Sequence, residues 1–332
     1  MEKIYICKIE PYNSFHIGTD EGIVAEKSDN IIHSDTLFGG VISSYSKLYG
    51  DDDLREIKSD ESFVLSSAFP YCKDILFFPK PLKKINLSRI QIEDSKLAKQ
   101  IKSVEFVSLS ILVDILKNET LDIKENMIFD DSFLISENEV NELKDVKFII
   151  KTFSSSRNVL DRITNLSEIF YIGETKVNTG QNCGFYFFIK PSKKFSIEKI
   201  KSAIELLGDE GLGGDRSVGK GAFKIKEFNE YKLPEISPVN PTKILLLSLY
   251  NPQKSEIEKG ILDGAEYDFT IRSGWLYTST NISWRKKQLR MFKEGSVLRN
   301  IGNITGRIVN VAPDEFKEHK IYQNGLAFYL PF

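Results

Sequence analysis

A chain of 332 residues, 41% hydrophobic and 28% charged with a formal net charge of −2, is long enough for two folded domains and too near neutrality to coat nucleic acid with a uniformly basic surface. Its three cysteines, Cys7, Cys72 and Cys183, lie far apart with only three histidines to partner them, which argues against zinc fingers and a disulfide framework. Apolar runs such as Ile244 to Leu247 fall far short of the roughly 20 residues that cross a bilayer. The N-terminus, Met1-Glu2-Lys3-Ile4-Tyr5, enters strand-like alternation without the regions of a secretory signal, so a cytoplasmic protein is expected.

Residues 3 to 9 alternate as a strand packed on both faces. A turn-rich loop, Pro11 to Asn30, follows and contains His16, Gly18 and Gly22. Ser34 or Asp35 is placed to cap the next helix, whose apolar positions Leu37, Val41, Tyr45 and Leu48 recur at helical spacing. Residues 62 to 79 read as further strands ended by Pro79 and Pro81. The stretch from about 80 to 150 has no clear period and reads as an insertion. Two apolar runs, Ile169 to Gly173 and Phe185 to Ile189, flank a Gly/Asn-rich link as a hairpin would. A second helix is expected from Ser196, with Ile197, Ile200, Ile204 and Leu207 on one stripe and Gly208 ending it. A strand from Ala222 to Phe228 closes the series. Strand, helix, strands, strand, helix, strand is the order of a split βαβ, or ferredoxin-like, unit of α+β class with antiparallel sheets. That assigns residues 1–233 to a first domain. Pro234, Pro238 and Pro241 mark a linker, and residues 242–332 form a second sheet-containing domain.

Charge is unevenly spread. From Thr270 to Asn300 seven basic residues face one acid, Glu294, whereas Asp51 to Glu61 and Asp130 to Asp145 are rich in carboxylates. Between Gly208 and Gly221 the chain runs GDEGLGGDRSVGKG, six glycines in fourteen residues with Arg216 and Lys220 among them. Such glycines permit positive φ and let backbone amides line an anion nest, for which phosphate is the natural guest. A Walker A loop needs a strand before it, a helix after it and Ser or Thr after its lysine. Here a helix precedes, a strand follows, and Lys220 is followed by Gly221; the Rossmann fingerprint fails for the same reason. A purely structural glycine turn is the plainer alternative.

The segment GLGGDRSVGKGAF resembles the glycine-rich loop of the RAMP superfamily of CRISPR RNA-binding proteins. Further blocks carry the resemblance: His33-Ser34-Asp35-Thr36-Leu37, Arg157-Asn158 with Asp161-Arg162-Ile163-Thr164, Arg272-Ser273-Gly274-Trp275, Glu294-Gly295-Ser296 and the segment around Gly325. Each is weak alone, but in this order they are similar to the Csm subunits that cap the 5′ end of the guide RNA in type III-A effector complexes. The resemblance implies two ferredoxin-like (RRM-like) domains with a protruding thumb. It also implies a non-catalytic role holding the 5′ handle of the crRNA, and two partners: the repeated backbone RAMP subunit and a large polymerase-like subunit with Palm domains. No cofactor or metal is expected.

Candidate RNA contacts follow. Arg216 and Lys220 suit phosphates, with Ser217 and the Gly214, Gly219 and Gly221 backbone adding hydrogen bonds; solvated surface charge is the alternative. His33 and Ser34 sit at a helix N-terminus, which attracts anions. His33 can equally be structural, or a general base for cleavage at a 2′-OH, as in a metal-independent endoribonuclease processing precursor crRNA; His16 is a weaker candidate. Arg157, Asn158 and Arg162 either clamp RNA or fix a turn. Trp275 beside Arg272 suits stacked bases, although aromatics are more often core. Arg285, with Lys286 and Lys287, meets RNA, an acidic partner or solvent. A nucleotide-binding enzyme is a third reading, disfavoured by the loop order.

Overall fold

The computed structural model describes residues 3–18, 27–87, 95–160, 167–236, 240–274 and 284–332. Its first unit is organised by a strand that is apolar along its whole length. Cys183–Lys190 (CGFYFFIK) is buried at all but its last position, as expected for a strand covered on both faces. It pairs antiparallel with Tyr5–Pro11 on one side and with Phe69–Cys72 and Val64–Leu65 on the other. Phe223–Glu230 then pairs with Tyr5–Pro11. The four principal strands therefore lie in the order 4-1-3-2, that of a ferredoxin-like sheet. Ile75–Pro79, Phe106–Ser108, Phe133–Leu134 and Ile128–Phe129 extend the far edge, so the 80–150 segment continues the sheet it interrupts.

Two helices, Ser34–Tyr49 and Ile197–Glu210, pack together against one face of this sheet. Gly40 makes their approach possible, since a Cβ there would come within 2.8 Å of Leu212 and 2.9 Å of Leu207. The N-cap of the first helix is His33, one residue earlier than expected, and Ser34 and Asp35 occupy its first turn. Ser196 caps the second helix, accepting from the Lys199 amide. Gly208 does not end that helix. A Cβ on it would sit 2.4 Å from the Phe223 carbonyl oxygen, so it serves close helix–strand packing, and Gly211 at φ +84° is the terminator.

Period-2 alternation sends Tyr186 and Phe188 to the other face. There Phe188 stacks on Phe328 of the C-terminal unit at 5.7 Å, and the Tyr186 hydroxyl donates to the Phe77 carbonyl. Both rings are fully buried. The aromatic sheet surface that RRM-like domains use for stacking bases is thus closed here.

The hairpin expected from Ile169–Gly173 and Phe185–Ile189 does not form. Ser167–Val177 pairs instead with Ile150–Leu160 across all eleven positions, from Ile150 opposite Val177 to Leu160 opposite Ser167. Phe185–Ile189 belongs to the sheet centre because its side chains bury on both faces. Ile169, Phe170 and Tyr171, by contrast, face a serine-rich partner strand and remain exposed. At the base of this ribbon Phe15 and Thr175 exchange backbone hydrogen bonds of 2.9 and 2.8 Å.

The C-terminal unit is a three-stranded antiparallel sheet with Lys243–Leu246 between Val297–Arg299 and Tyr329–Pro331. Two hairpins accompany it, Phe269–Arg272 with Leu289–Phe292 and Gly306–Asn310 with Tyr322–Leu326, along with the short helix Lys254–Glu258. Alternation divides its first strand between two cores: Leu245 and Leu247 join the core of the first unit, and Ile244 and Leu246 join Tyr250, Ile261, Phe292 and Leu298 in a separate one. No helix among the described residues is long and apolar enough to cross a membrane.

Candidate nucleic-acid interface

The glycine-rich loop is built on the segment Asn13–Ile17. The Gly214 amide donates to the His16 carbonyl at 2.9 Å, the Gly221 amide to the Ser14 carbonyl at 3.1 Å, and the Asn13 side-chain amide to the Gly219 carbonyl at 3.2 Å. Within the loop Asp215 takes a left-handed conformation, Arg216–Val218 form one 3₁₀ turn, and Gly219 at φ +81° closes it, its amide donating to the Arg216 carbonyl at 2.9 Å. These amides were expected to bind phosphate. Gly214, Gly219 and Gly221 instead satisfy the protein's own carbonyls, as backbone donors in a folded chain generally do. A Cβ on Gly221, at φ +76°, would lie 2.0 Å from the Leu212 carbonyl oxygen. Gly221→Ala is therefore expected to destabilise the chain by at least about 1–2 kcal/mol from the left-handed backbone alone, read as a lowered denaturation midpoint.

Under the loop lies a buried carboxylate. Glu174, opposite Phe153 in the long hairpin, accepts from Lys220 Nζ at 2.6 Å, from Ser155 Oγ at 2.7 Å and from the Ser14 hydroxyl, with Arg157 Nη2 at 3.5 Å. Arg157 also reaches Asp215 at 3.1 Å and Lys220 donates to Ser14 at 2.7 Å. Burial pushes the Glu174 carboxyl up, but the hydrogen bonds from Lys220, Ser14 and Ser155 more than offset it and hold it at about 2. Lys220 thus spends two of its three donors inside the protein. With Arg157 it pins three segments together: the glycine loop, the N-terminal loop and the hairpin.

Above this pin opens a cleft of about 500 Å³ bordered by Tyr12, Ser14, Phe153, Glu174, Lys176 and Lys220. Tyr12 is 61% and Phe153 44% exposed, and Lys176 is exposed beside them. Aromatic faces together with ammonium groups at a groove wall are the parts from which single-stranded nucleic acid sites are made.

A second polar cluster lies elsewhere, where the first helix meets the C-terminal unit. His33 is 3% exposed, with Nδ1 at 2.9 Å from Glu294 Oε1 and Nε2 at 3.1 Å from Asp29 Oδ2. Burial pulls its pKa down, but these two carboxylates outweigh burial and hold it at about 10. Arg272, 8% exposed, grips Asp35 through two hydrogen bonds of 2.8 and 3.1 Å and reaches the Thr36 hydroxyl at 3.0 Å. The Gln323 amide also donates to Asp35. Ser34 is buried, its hydroxyl accepting from the Leu249 amide at 3.0 Å. His33, Ser34 and Arg272, expected at RNA, instead join the two units, and the reason is burial: a charge in the interior needs fixed partners, and these have them.

A model of the RAMP superfamily matches residues 8–224, about two thirds of the chain. The chain belongs to the RAMP superfamily. The CRISPR Csm4 C-terminal domain matches residues 240–332. Among similar proteins, the CRISPR system Cms protein Csm4 of Methanocaldococcus jannaschii is 29% identical over 382 aligned positions, covering 99% of this chain and 97% of that one. That of Thermococcus onnurineus is 26% identical, covering 91% of each. Among solved structures, a Csm3-Csm4 subcomplex of the type III-A interference complex aligns at a TM-score of 0.67 with 24% identity, covering 99% of both chains. A Csm1-Csm4 cassette in complex with cA4 aligns at 0.60 with 20% identity, covering 100% of this chain and 98% of that one. The fold is that of RAMP proteins.

In this RAMP chain the predicted residues thus fall into three places. Arg216, Ser217, Lys220, Arg157 and Asn158 lie on or beside the glycine loop and the hairpin. Asn158 is exposed and accepts from Ser167 Oγ at 2.5 Å. His33, Ser34 and Arg272 sit in the buried junction, and Arg285 is exposed on the C-terminal unit. Arg162 and Trp275 lie outside the described residues. Sequence reasoning missed Tyr12, Phe153 and Lys176, which come from three separate segments; the one local signal was the exposed-type residue Tyr12 at the start of the turn-rich loop.

Proposed function

We propose that this chain is a non-catalytic RNA-binding subunit of a type III-A CRISPR (Csm) effector complex, holding the 5′ handle of the crRNA in the cytoplasm. The observation that carries this reading is the cleft between the glycine loop and the hairpin, with Tyr12 and Phe153 to stack on bases and Lys176 to meet phosphates, and with Arg216 in the turn of the adjoining loop. Such contacts position an RNA backbone without reading its sequence. Lys220 and Arg157 shape the cleft from beneath. Ser217 and Asn158 extend it along the loop and the hairpin. The protein bridges the backbone RAMP subunit and the large polymerase-like subunit, as the Csm3-Csm4 and Csm1-Csm4 complexes of its structural relatives suggest. Residues 1–233, with the insertion about 80–150, and 242–332 are taken as its two domains.

The processing-endoribonuclease reading puts His33 or His16 at a 2′-OH as general base; His16 has its Nδ1 2.7 Å from the Gly173 carbonyl oxygen. His33 has both ring nitrogens bound to carboxylates and almost no exposed surface, which favours the structural subunit. The test is to co-express the chain with a CRISPR array and the other effector subunits, purify through a tag on this chain, and sequence the 5′ ends of the bound RNA. Uniform guides with an intact handle support the reading; absence of RNA sinks it. Arg216→Ala is expected to weaken RNA binding across sequences and to lower the salt slope by about one unit. An unchanged affinity and slope would remove the loop from the RNA site.

A further inference from the structure

The hairpin Phe269–Arg272/Leu289–Phe292 gives its two faces different tasks. Alternation sends Thr270, Arg272 and Met291 inward, where Arg272 meets Asp35 and Met291 is fully buried. The same alternation sends Phe269, Ile271 and Arg290 outward. Tyr267, just before the strand, lies with its ring 5.1 Å from that of Phe269. Tyr267, Phe269 and Ile271 are 43%, 39% and 44% exposed. Beyond Arg272 the Lys286 amide donates to the Gly274 carbonyl at 2.9 Å, and Arg285, the residue before it, is exposed. Large apolar groups clustered with arginine mark binding surfaces rather than solvated ones.

Charge narrows the partner. Glu294 is the one acid between residues 284 and 299, and it is buried against His33 and Ser67. Lys287 is answered by Asp314 and Arg299 by Asp263. Among the described residues Arg285 and Arg290 have no carboxylate partner; Asp268, exposed between Tyr267 and Phe269, accepts from the Phe269 amide at 2.8 Å, so the strip carries two unpaired arginines against one exposed acid.

The rings then separate protein from nucleic acid. Base stacking needs a free aromatic face. The Phe269 ring is enclosed by the Arg290 guanidinium at 5.6 Å, the Phe292 ring at 4.6 Å and the Tyr267 ring, and Ile271 has no ring to offer. Tyr267 and Phe269 keep 43% and 39% of their surface outward beside the aliphatic Ile271, a mixed apolar surface that fits protein side chains. We propose that Tyr267, Phe269, Ile271, Arg285 and Arg290 form a docking surface for an acidic protein subunit, one presenting carboxylates around an apolar centre. This rests on the reading of the chain as an effector-complex subunit, and the surface shares no residue with the RNA cleft.

The test uses the full chain co-expressed with the array and the effector subunits. Arg285→Glu with Arg290→Glu, and separately Ile271→Asp, are expected to reduce one co-purifying protein subunit at least about tenfold, as loss of a hot spot does, while guide RNA per chain is retained. The charge-reversal variant touches only exposed side chains and keeps the test open should Ile271→Asp fail to fold. Three results overturn the proposal: all subunits retained in wild-type ratio, RNA lost while the protein subunits stay, or a self-association of the chain alone that the variants abolish. Wild-type preparations that carry protein subunits but no guide RNA would instead sink the functional reading and leave this surface standing.

Discussion

Arg272→Ala is expected to lower the unfolding free energy by about 3–5 kcal/mol, the usual cost of removing one partner from a buried ion pair. Asp35 would keep only Gln323 and its own neighbours inside the protein, with its carboxylate desolvated and its bidentate cation gone. Denaturant unfolding of the purified chain measures the loss. If Arg272 were an RNA contact, stability would be unchanged and only affinity would fall. His33, in the same junction, gives that stability a direction with pH. Its folded pKa is about 10, above the ordinary value near 6.5 for an unfolded histidine. The contribution is therefore fully present below about pH 6.5 and is lost as pH rises through 10. Melting temperature should fall across that window, and His33→Gln should flatten the fall. A wild-type curve that is flat from pH 6.5 to 10 would mean that His33 is neutral in the fold.

The elements that repeat locally were legible in the sequence. The first helix announced itself through Leu37, Val41 and Tyr45, all of which are buried, and the second through Ile200, Ile204 and Leu207. Strand pairing was less so, because the run Ile169–Tyr171 looks as apolar as Phe185–Ile189, and only the choice of partner sends one into a ribbon and the other into a core. The site divided along a similar line. A glycine-rich loop with cations in it was visible as a pattern, but the partner that occupies Lys220 is Glu174, 46 residues earlier. His33, Ser34 and Arg272 are polar residues near a helix start whichever side of the surface they lie on. Burial is a tertiary property, and no spacing in one sequence records it. Phe153 and Lys176 meet through the pairing of the hairpin's two strands, and Tyr12 joins them because the hairpin docks on the N-terminal loop through Phe15–Thr175 and Ser14–Glu174.

Lys220→Ala separates a pin from a phosphate contact. Losing a hydrogen-bonded charge partner of a buried carboxylate costs about 1.5–3 kcal/mol, less than a fully stranded ion because Arg157 and two serines still hold Glu174. The Glu174 carboxyl, held at about 2, lies below its ordinary range, so its contribution is present above about pH 4.5 and is lost as pH falls through 2; Lys220→Ala lets that carboxyl return toward its ordinary range and should flatten the fall of stability on acidification. RNA affinity should fall because the hairpin no longer fixes one wall of the cleft, and it should fall alike at low and high salt. A direct phosphate contact predicts a salt slope reduced by about one unit. The double variant Lys220→Met with Glu174→Gln decides the matter. It removes both charges together, leaving no stranded ion, and so should recover most of the lost stability. If Lys220 acts as a pin, RNA affinity recovers with it; if affinity stays low once stability has returned, the ammonium itself was touching the RNA.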